Sequence, residues 1–314
     1  MNCCYKKIMQ PECSDRFFKI ITGAAALLAG LLMFGFFIQL FWYALPAIRT
    51  FGWRFLVSSE WDPVKQTYGA LPSILGTLIT TGLAILIAVP ICFIVSMFLV
   101  ETAPKWLSVP VSHALDLLAA IPSIIYGMWG LFVFVPFMQN TVQPFMADKL
   151  HLKSVPFFGN DYNGFGFLTS GIILALMIMP FICAVMRDVF KMVPPVLKES
   201  AFGAGATSWE VTFDITMKYG ARGLLGAVFL GLGRAVGETM AVLFVIGNIQ
   251  TVPKSLFQAG TTIAATLANN FAEAEGIFRS ALFELGLILL AMSFLIQVLA
   301  QLWLKRVSRQ MGEK

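Results

Sequence analysis

The chain has 314 residues, 58% of them hydrophobic and only 12% charged, with a mean hydropathy of +0.80 and a formal net charge of +5. A soluble domain carries about 25% charged residues, so there are too few ionic side chains to clothe a soluble enzyme, and the apolar excess rules out a disordered chain. The composition is that of an all-α integral membrane protein, and no run of Lys and Arg exceeds two, which speaks against nucleic acid as a partner.

In chain order, residues 1–19 form a short tail holding Cys3, Cys4 and Cys13. Three thiols without a fourth ligand nearby do not make a zinc site, and they read as reduced cytoplasmic cysteines. Six apolar stretches long enough to cross a bilayer follow, near 20–45, 71–100, 111–138, 167–190, 221–249 and 280–304. The first is too long for the core of a cleavable signal, and no small-residue cleavage site closes it. Residues 20–70 thus hold one span and an outer loop, 71–304 hold five spans, and 305–314 form a second tail. With the N-terminus placed in the cytoplasm, the inner segments carry fourteen Lys and Arg and the outer ones seven, Arg234 being left within a span. That bias keeps both termini inside. Trp53, Trp61, Tyr68 and Tyr162 fall in outer segments and suit an interfacial belt, and Phe158–Gly166 is a turn-rich outer loop. Pro90, Pro122 and Pro180 lie inside spans, where they predict kinks or hinges.

The longest inner loop, about 187–222, contains Pro194-Pro195 followed by Val196-Leu197-Lys198-Glu199-Ser200-Ala201-Phe202-Gly203-Ala204-Gly205-Ala206. The proline pair predicts a helix start just before Val196, with Glu199 in the first turn. The small residues after it let another surface approach closely, and a second short helix is expected after Thr207 or Ser208 with Trp209 as its apolar anchor. The segment reads either as a compact helical knob or as a plain connector.

Four ionisable residues fall within or at the edges of spans: Asp116, Arg234, Glu238 and Glu284. A charge at mid-bilayer costs about 2.5–3.5 kcal/mol on insertion scales, so such residues face a bundle interior or a watery path. Arg234 and Glu238 are four apart, which on one helix puts them on one face, and Gly233 and Gly237 share the spacing that permits close helix contact. The pair is either a neutralising ion pair or a fixed positive charge offered to a crossing anion, with Glu238 holding Arg234 when no anion is present. Asp116 sits near an inner end, and Glu284 is expected to snorkel at an outer end. His113 and His151 have no ligand cluster around them. No G-x-x-x-x-G-K-[ST], G-x-S-x-G, H-E-x-x-H or paired-Cys spacing occurs, so the chain has neither a nucleotide loop nor an enzyme's residues.

The knob resembles the EAA loop of binding-protein-dependent ABC importer permeases, in which Glu-Ala-Ala is followed after three residues by Gly and after nine more by Ile-x-Leu-Pro. Glu199, Ser200, Ala201, Gly205 and Ile215 hold those places; Ser200 replaces the middle alanine, and Met217-Lys218 replaces Leu-Pro. More narrowly, the chain is similar over nearly its whole length to the PstC type of phosphate-importer permease. The resemblance rests on Tyr68-Gly69-Ala70-Leu71-Pro72 with Gly76-Thr77-Leu78, on Ile121-Pro122-Ser123-Ile124-Ile125-Tyr126-Gly127, and on Gly233-Arg234-Ala235-Val236-Gly237-Glu238-Thr239-Met240-Ala241-Val242. It implies a type I ABC importer permease (MetI-like) fold with six transmembrane helices, the core at 71–304 and its EAA loop at about 194–219. It implies a bacterial inner-membrane subunit without cofactor or metal, working by alternating access. Its implied partners are a PstA-like permease subunit, cytoplasmic ATPase subunits that hydrolyse ATP and dock on the 199–205 knob, a periplasmic phosphate-binding protein, and the lipid bilayer around the permease pair. The same machine carrying phosphonate, sulfate or molybdate, and a proton-coupled secondary anion transporter using Glu238, are the competing readings; the second expects an internal repeat, and none is apparent.

Overall fold

A computed structural model describes residues 11–146 and 162–310, with side chains described from 15 to 306 within those limits. Cys3, Cys4, the Cys13 side chain, His151 and residues 158–161 of the expected turn-rich loop lie outside the described residues. Among the described residues the chain is helical, without β-strands. Helix α1 spans Pro11–Phe51, α2 Leu71–Met97 and α3 Lys105–Ala119. Helix α4, Ser123–Val142, follows a 92° bend. Then come α5 at Phe167–Lys191, α6 at Pro195–Gly203, α7 at Met217–Val236, α8 at Met240–Leu243, α9 at Ile263–Asn270 and α10 at Gly276–Gln310.

The bundle is organised on α2 and α5. Ser73, Thr77, Thr80, Ala84, Ala88, Cys92 and Ser96 recur every three or four residues, so one face of α2 carries only small side chains. All seven are buried against the rest of the bundle. In a bilayer the lipid is as apolar as leucine, so helices associate by close packing and hydrogen bonds, and small residues favour both. Ser96 Oγ donates to the Cys183 carbonyl at 3.0 Å and Cys92 Sγ to the Met179 carbonyl at 3.3 Å, joining α2 to α5. Helix α7 lies back along α5 in the opposite direction. Gly220 and Gly223 rest on Val189, and Gly231 on Ile182; a Cβ at Gly223 would meet Val189 Cγ2 at 2.6 Å.

Helix α1 packs along α10 near the end remote from α6. There Phe51, Trp61, Tyr68 and Phe278 form an aromatic cluster, with Tyr68 stacked on Phe278 at 5.2 Å. The rest of α1 is apolar on every side and exposed from Phe17 to Gln39, as befits a lipid-facing helix.

Four of these helices are long and apolar enough to cross a membrane, or five when the bent pair α3–α4 counts as one span. The expected six are therefore not all single helices. The expected span 111–138 is broken between Ala119 and Ser123, where Pro122 cannot continue a helix. The expected span 221–249 is interrupted after Val236, resumes for a single turn at Met240–Leu243, and carries Arg222, Arg234 and Glu238. Pro90 and Pro180, by contrast, are held inside unbroken helices.

Candidate functional site

Two places concentrate chemistry: the break after α7 and the knob around α6. At the first, the run Gly233-Arg234-Ala235-Val236-Gly237 ends α7, glycine being a poor helix former. Glu238 then turns forward and its carboxylate accepts the Ala241 N–H at 3.2 Å, at the start of the single turn α8. Arg234 and Glu238 consequently flank the break and do not share a helical face. Among the described residues no ion pair joins them, which removes the neutralising pair as one of the two alternatives. Gly233 does allow a close approach, by Gln297 of α10, whereas nothing stands near Gly237, whose part is to end the helix.

The Arg234 guanidinium lies over the Phe181 ring, 5.6 Å from its centroid. Phe181 is fourteen residues from the start of α5 and ten from its end, placing the charge about 21 Å and about 15 Å from the two ends of that helix. Arg234 is exposed, has no carboxylate partner among the described residues, and lies close enough to Tyr126 for its charge to act on the phenol. The neighbouring α4 is held against α8 through Gly127, where a Cβ would stand 2.7 Å from the Met240 carbonyl oxygen. Non-helical backbone at membrane depth is tolerated where protein buries it or where it lines a watery cavity. A broken helix beside an unpaired guanidinium is thus an anion-binding geometry, since the planar fork matches an oxyanion's oxygens.

The knob forms as the proline pair dictates. Pro194 has extended backbone and Pro195 opens α6, which ends at Gly203. Gly205 follows in the left-handed region at φ +91, its N–H on the Phe202 carbonyl, while the Ala206 N–H reaches the Ala201 carbonyl. This is a Schellman ending, which wants glycine at that place. The second helix starts where expected: Thr207 and Glu210 exchange hydrogen bonds as a capping box, and those from Thr207 hold the Glu210 carboxyl below its ordinary range. Trp209 lies against Phe213, ring centroids 4.1 Å apart and tilted by 38°, but stays exposed and is not buried as an anchor. Glu199 and Ser200 are exposed on α6, and Ala201, Gly205 and Ile215 line one open cleft of about 440 Å³ with Glu210 and Asp214. Val196, Leu197 and Phe202 are exposed beside them. Among the described residues nothing covers this small-residue surface with its acidic rim.

Two ion pairs that sequence reading missed connect this end of the bundle. Lys198 Nζ reaches Glu101 Oε1 at 2.6 Å, with both side chains four-fifths buried, and so ties α6 to the end of α2. Arg187, buried at the end of α5, donates to both carboxylate oxygens of Asp116 at 3.2 and 3.4 Å, to Asp188 at 3.1 Å and to the Ser112 carbonyl. Asp116 is thus the partner of a buried arginine rather than a lone interfacial charge. Glu284, expected to snorkel, is instead buried on α10 with Oε2 unpaired. His113 is exposed, and among the described residues no three His, Cys, Asp or Glu side chains gather as a metal site.

Known proteins share this family and fold. The family described as binding-protein-dependent transport system inner membrane component matches residues 95–309. A "Phosphate transport system permease protein PstC" of Haemophilus influenzae is 49% identical over 301 residues, covering 95% of this chain and 96% of that protein. A "Probable phosphate transport system permease protein PstC" of Methanocaldococcus jannaschii is 35% identical over 92% of this chain and 93% of its own length. Among solved structures, a chain of the inward-facing MetNI methionine ABC transporter superposes with TM-score 0.59 at 18% identity, covering 81% of this chain and all of that one. A chain of a bacterial alginate ABC transporter does so with TM-score 0.61 at 16% identity, covering 96% and 98%. These likenesses establish the MetI-like ABC importer permease fold, and the chain belongs to the family of binding-protein-dependent transport system inner membrane components.

Proposed function

We propose that the chain is a permease subunit of an ATP-driven phosphate importer. The observation that carries this is Arg234: an exposed guanidinium without a carboxylate partner, at mid-depth, beside a broken helix. The names and full-length similarity of the PstC proteins support phosphate as the anion it meets. Arg234 supplies the attraction, and Glu238 keeps the backbone open next to it by bonding forward to Ala241.

In this reading residues 71–304 are the permease core, and both termini and the knob face the cytoplasm of an inner-membrane assembly. A PstA-like subunit supplies the other half of the pathway. ATPase subunits grip Glu199, Ser200, Ala201, Gly205 and Ile215, and hydrolysis happens there and not in this chain. A periplasmic binding protein delivers phosphate at the opposite end. ATPase closure moves α6, the bundle tilts, and the Arg234 site is exposed first to one side and then to the other.

The test is uptake of labelled phosphate by vesicles holding this chain with its permease, ATPase and binding-protein partners. We expect uptake that requires ATP. Uptake driven by a proton gradient with the ATPase omitted would replace this reading with a secondary transporter. Stronger competition by sulfate, molybdate or a phosphonate than by phosphate would replace the substrate.

A further inference from the structure

A groove between α1, α9 and α10 has no part assigned above, although its lining reaches Thr239, next to Glu238. Its trough, about 480 Å³, is lined by Phe36, Leu40, Leu267, Phe283, Gly286 and Leu289. A smaller recess of about 210 Å³ continues it, sharing Phe36, Leu40 and Phe283 and adding Gln39, Tyr43 and Arg279. Arg279 is the fourth residue of α10, so it lies one turn inside the bundle end remote from the knob. Leu289 is ten residues further, about 15 Å deeper. The groove therefore has a polar mouth at one membrane surface and an apolar floor running toward the middle.

The mouth is built. Arg279 is held over the rings of Phe271 and Phe283, 5.8 and 6.0 Å from their centroids, and Tyr43 stacks on Phe283 at 5.0 Å. Stacking fixes the guanidinium beside the groove but leaves its N–H donors unused. Glu273 and Glu275 precede it in the chain, yet neither forms an ion pair with it among the described residues. The trough lies at bilayer depth, where water gains nothing from apolar walls. A partner's apolar helix would fill the trough but leave the cation without an anion.

We propose that this groove binds one anionic phospholipid, its phosphate on Arg279 and Gln39 and an acyl chain in the trough. Charge complementarity selects that occupant: a cation at the surface and an apolar channel below it match a phosphate head with a hydrocarbon tail. Gly286 keeps the trough open. A Cβ there would meet Leu40 and Leu267 only at 3.8 and 4.0 Å, so a phenylalanine ring attached to it would occupy the lipid's place without disturbing the backbone.

The experiment uses the assembled transporter, equilibrated in vesicles of equal phosphatidylglycerol and phosphatidylethanolamine, then extracted and weighed intact by native mass spectrometry. The wild type should retain phosphatidylglycerol in preference to phosphatidylethanolamine. R279Q should lower that preference about fivefold, R279K should keep most of it, and G286F should release both lipids. Equal retention by wild type and R279Q overturns the proposal, and so does retention unchanged by G286F. Cross-linking from a cysteine at position 286 to another subunit would put a protein helix in the groove and overturn it too. None of these readings depends on phosphate transport, so the site and the proposed function fail separately.

Discussion

A guanidinium halfway through a bilayer is expensive unless something polar meets it. Arg234 has the face of Phe181 and, among the described residues, no ion pair; in the proposed reading a transported oxyanion takes that place. We expect Arg234→Gln to reduce labelled-phosphate uptake by about a hundredfold, the loss of a charge-assisted bond worth about 3 kcal/mol, with unchanged amounts of assembled transporter. Arg234→Lys should recover only part, since a lysine keeps the charge but not the fork. Undiminished uptake by Arg234→Gln would take the residue out of the pathway. Gly205 poses a different question. Nothing stands within 4 Å of a Cβ there, so alanine fits in space, but φ +91 is a conformation it resists. Gly205→Ala should cost about 1–2 kcal/mol in the Schellman ending and reshape the cleft beneath Ala201 and Ile215. The expected result is weaker binding of the ATPase subunits, read by co-purification, with normal insertion of the chain. Full binding would mean that the cleft is not their seat.

At the level of elements, the question is how movement of α6 reaches the rest of the bundle. Lys198 and Glu101 form its one ion pair to a long helix among the described residues, and both side chains are largely buried, so little water screens the attraction. Helix α2 in turn packs along all of α5 through its small-residue face. A pull on α6 is thereby carried to the centre. Reversing one charge, Lys198→Glu or Glu101→Lys, should leave ATP hydrolysis running while transport falls; reversing both should restore transport, with a coupling energy of about 1–3 kcal/mol. If the double variant is no better than the worse single one, the pair is only a local brace. These links also mark what the sequence withholds. The starts of α6 at Pro195 and of the next helix after Thr207 were readable, because each depends on residues within one or two turns. The Lys198–Glu101 and Arg187–Asp116 pairs span 97 and 71 residues and leave no local pattern. The break at Gly237 was hidden for another reason: apolar character continues straight through it, so a hydropathy reading runs 221–249 together and makes Arg234 and Glu238 look like helical neighbours.

For the whole molecule, the lateral surface divides into two kinds. Around α1 it is apolar throughout, with Leu27, Leu31 and Phe34 all exposed, and lipid is a sufficient neighbour. Around α4 and the end of α7 it is apolar but interrupted: Leu230 and Arg234 are four residues apart on one face of α7, and Ile125 is exposed on α4 beside Tyr126. Hydrocarbon cannot cover that face, because it would surround Arg234 at a cost of about 2.5–3.5 kcal/mol. A second polypeptide can, if it leaves a watery space over the guanidinium. In the proposed reading this chain is half of a pathway, and we expect the missing half over Leu230 and Ile125 and not over Phe34. Single cysteines at those three positions, tested against a lipid-soluble maleimide in membranes, distinguish the two surfaces. In the assembled transporter we expect Phe34→Cys to label fully while Leu230→Cys and Ile125→Cys are protected at least severalfold; when the chain is expressed without its permease partner, the protection at positions 230 and 125 should disappear. Equal labelling of all three in the complete assembly would mean that Arg234 faces lipid, and an anion path at that depth would have no second wall.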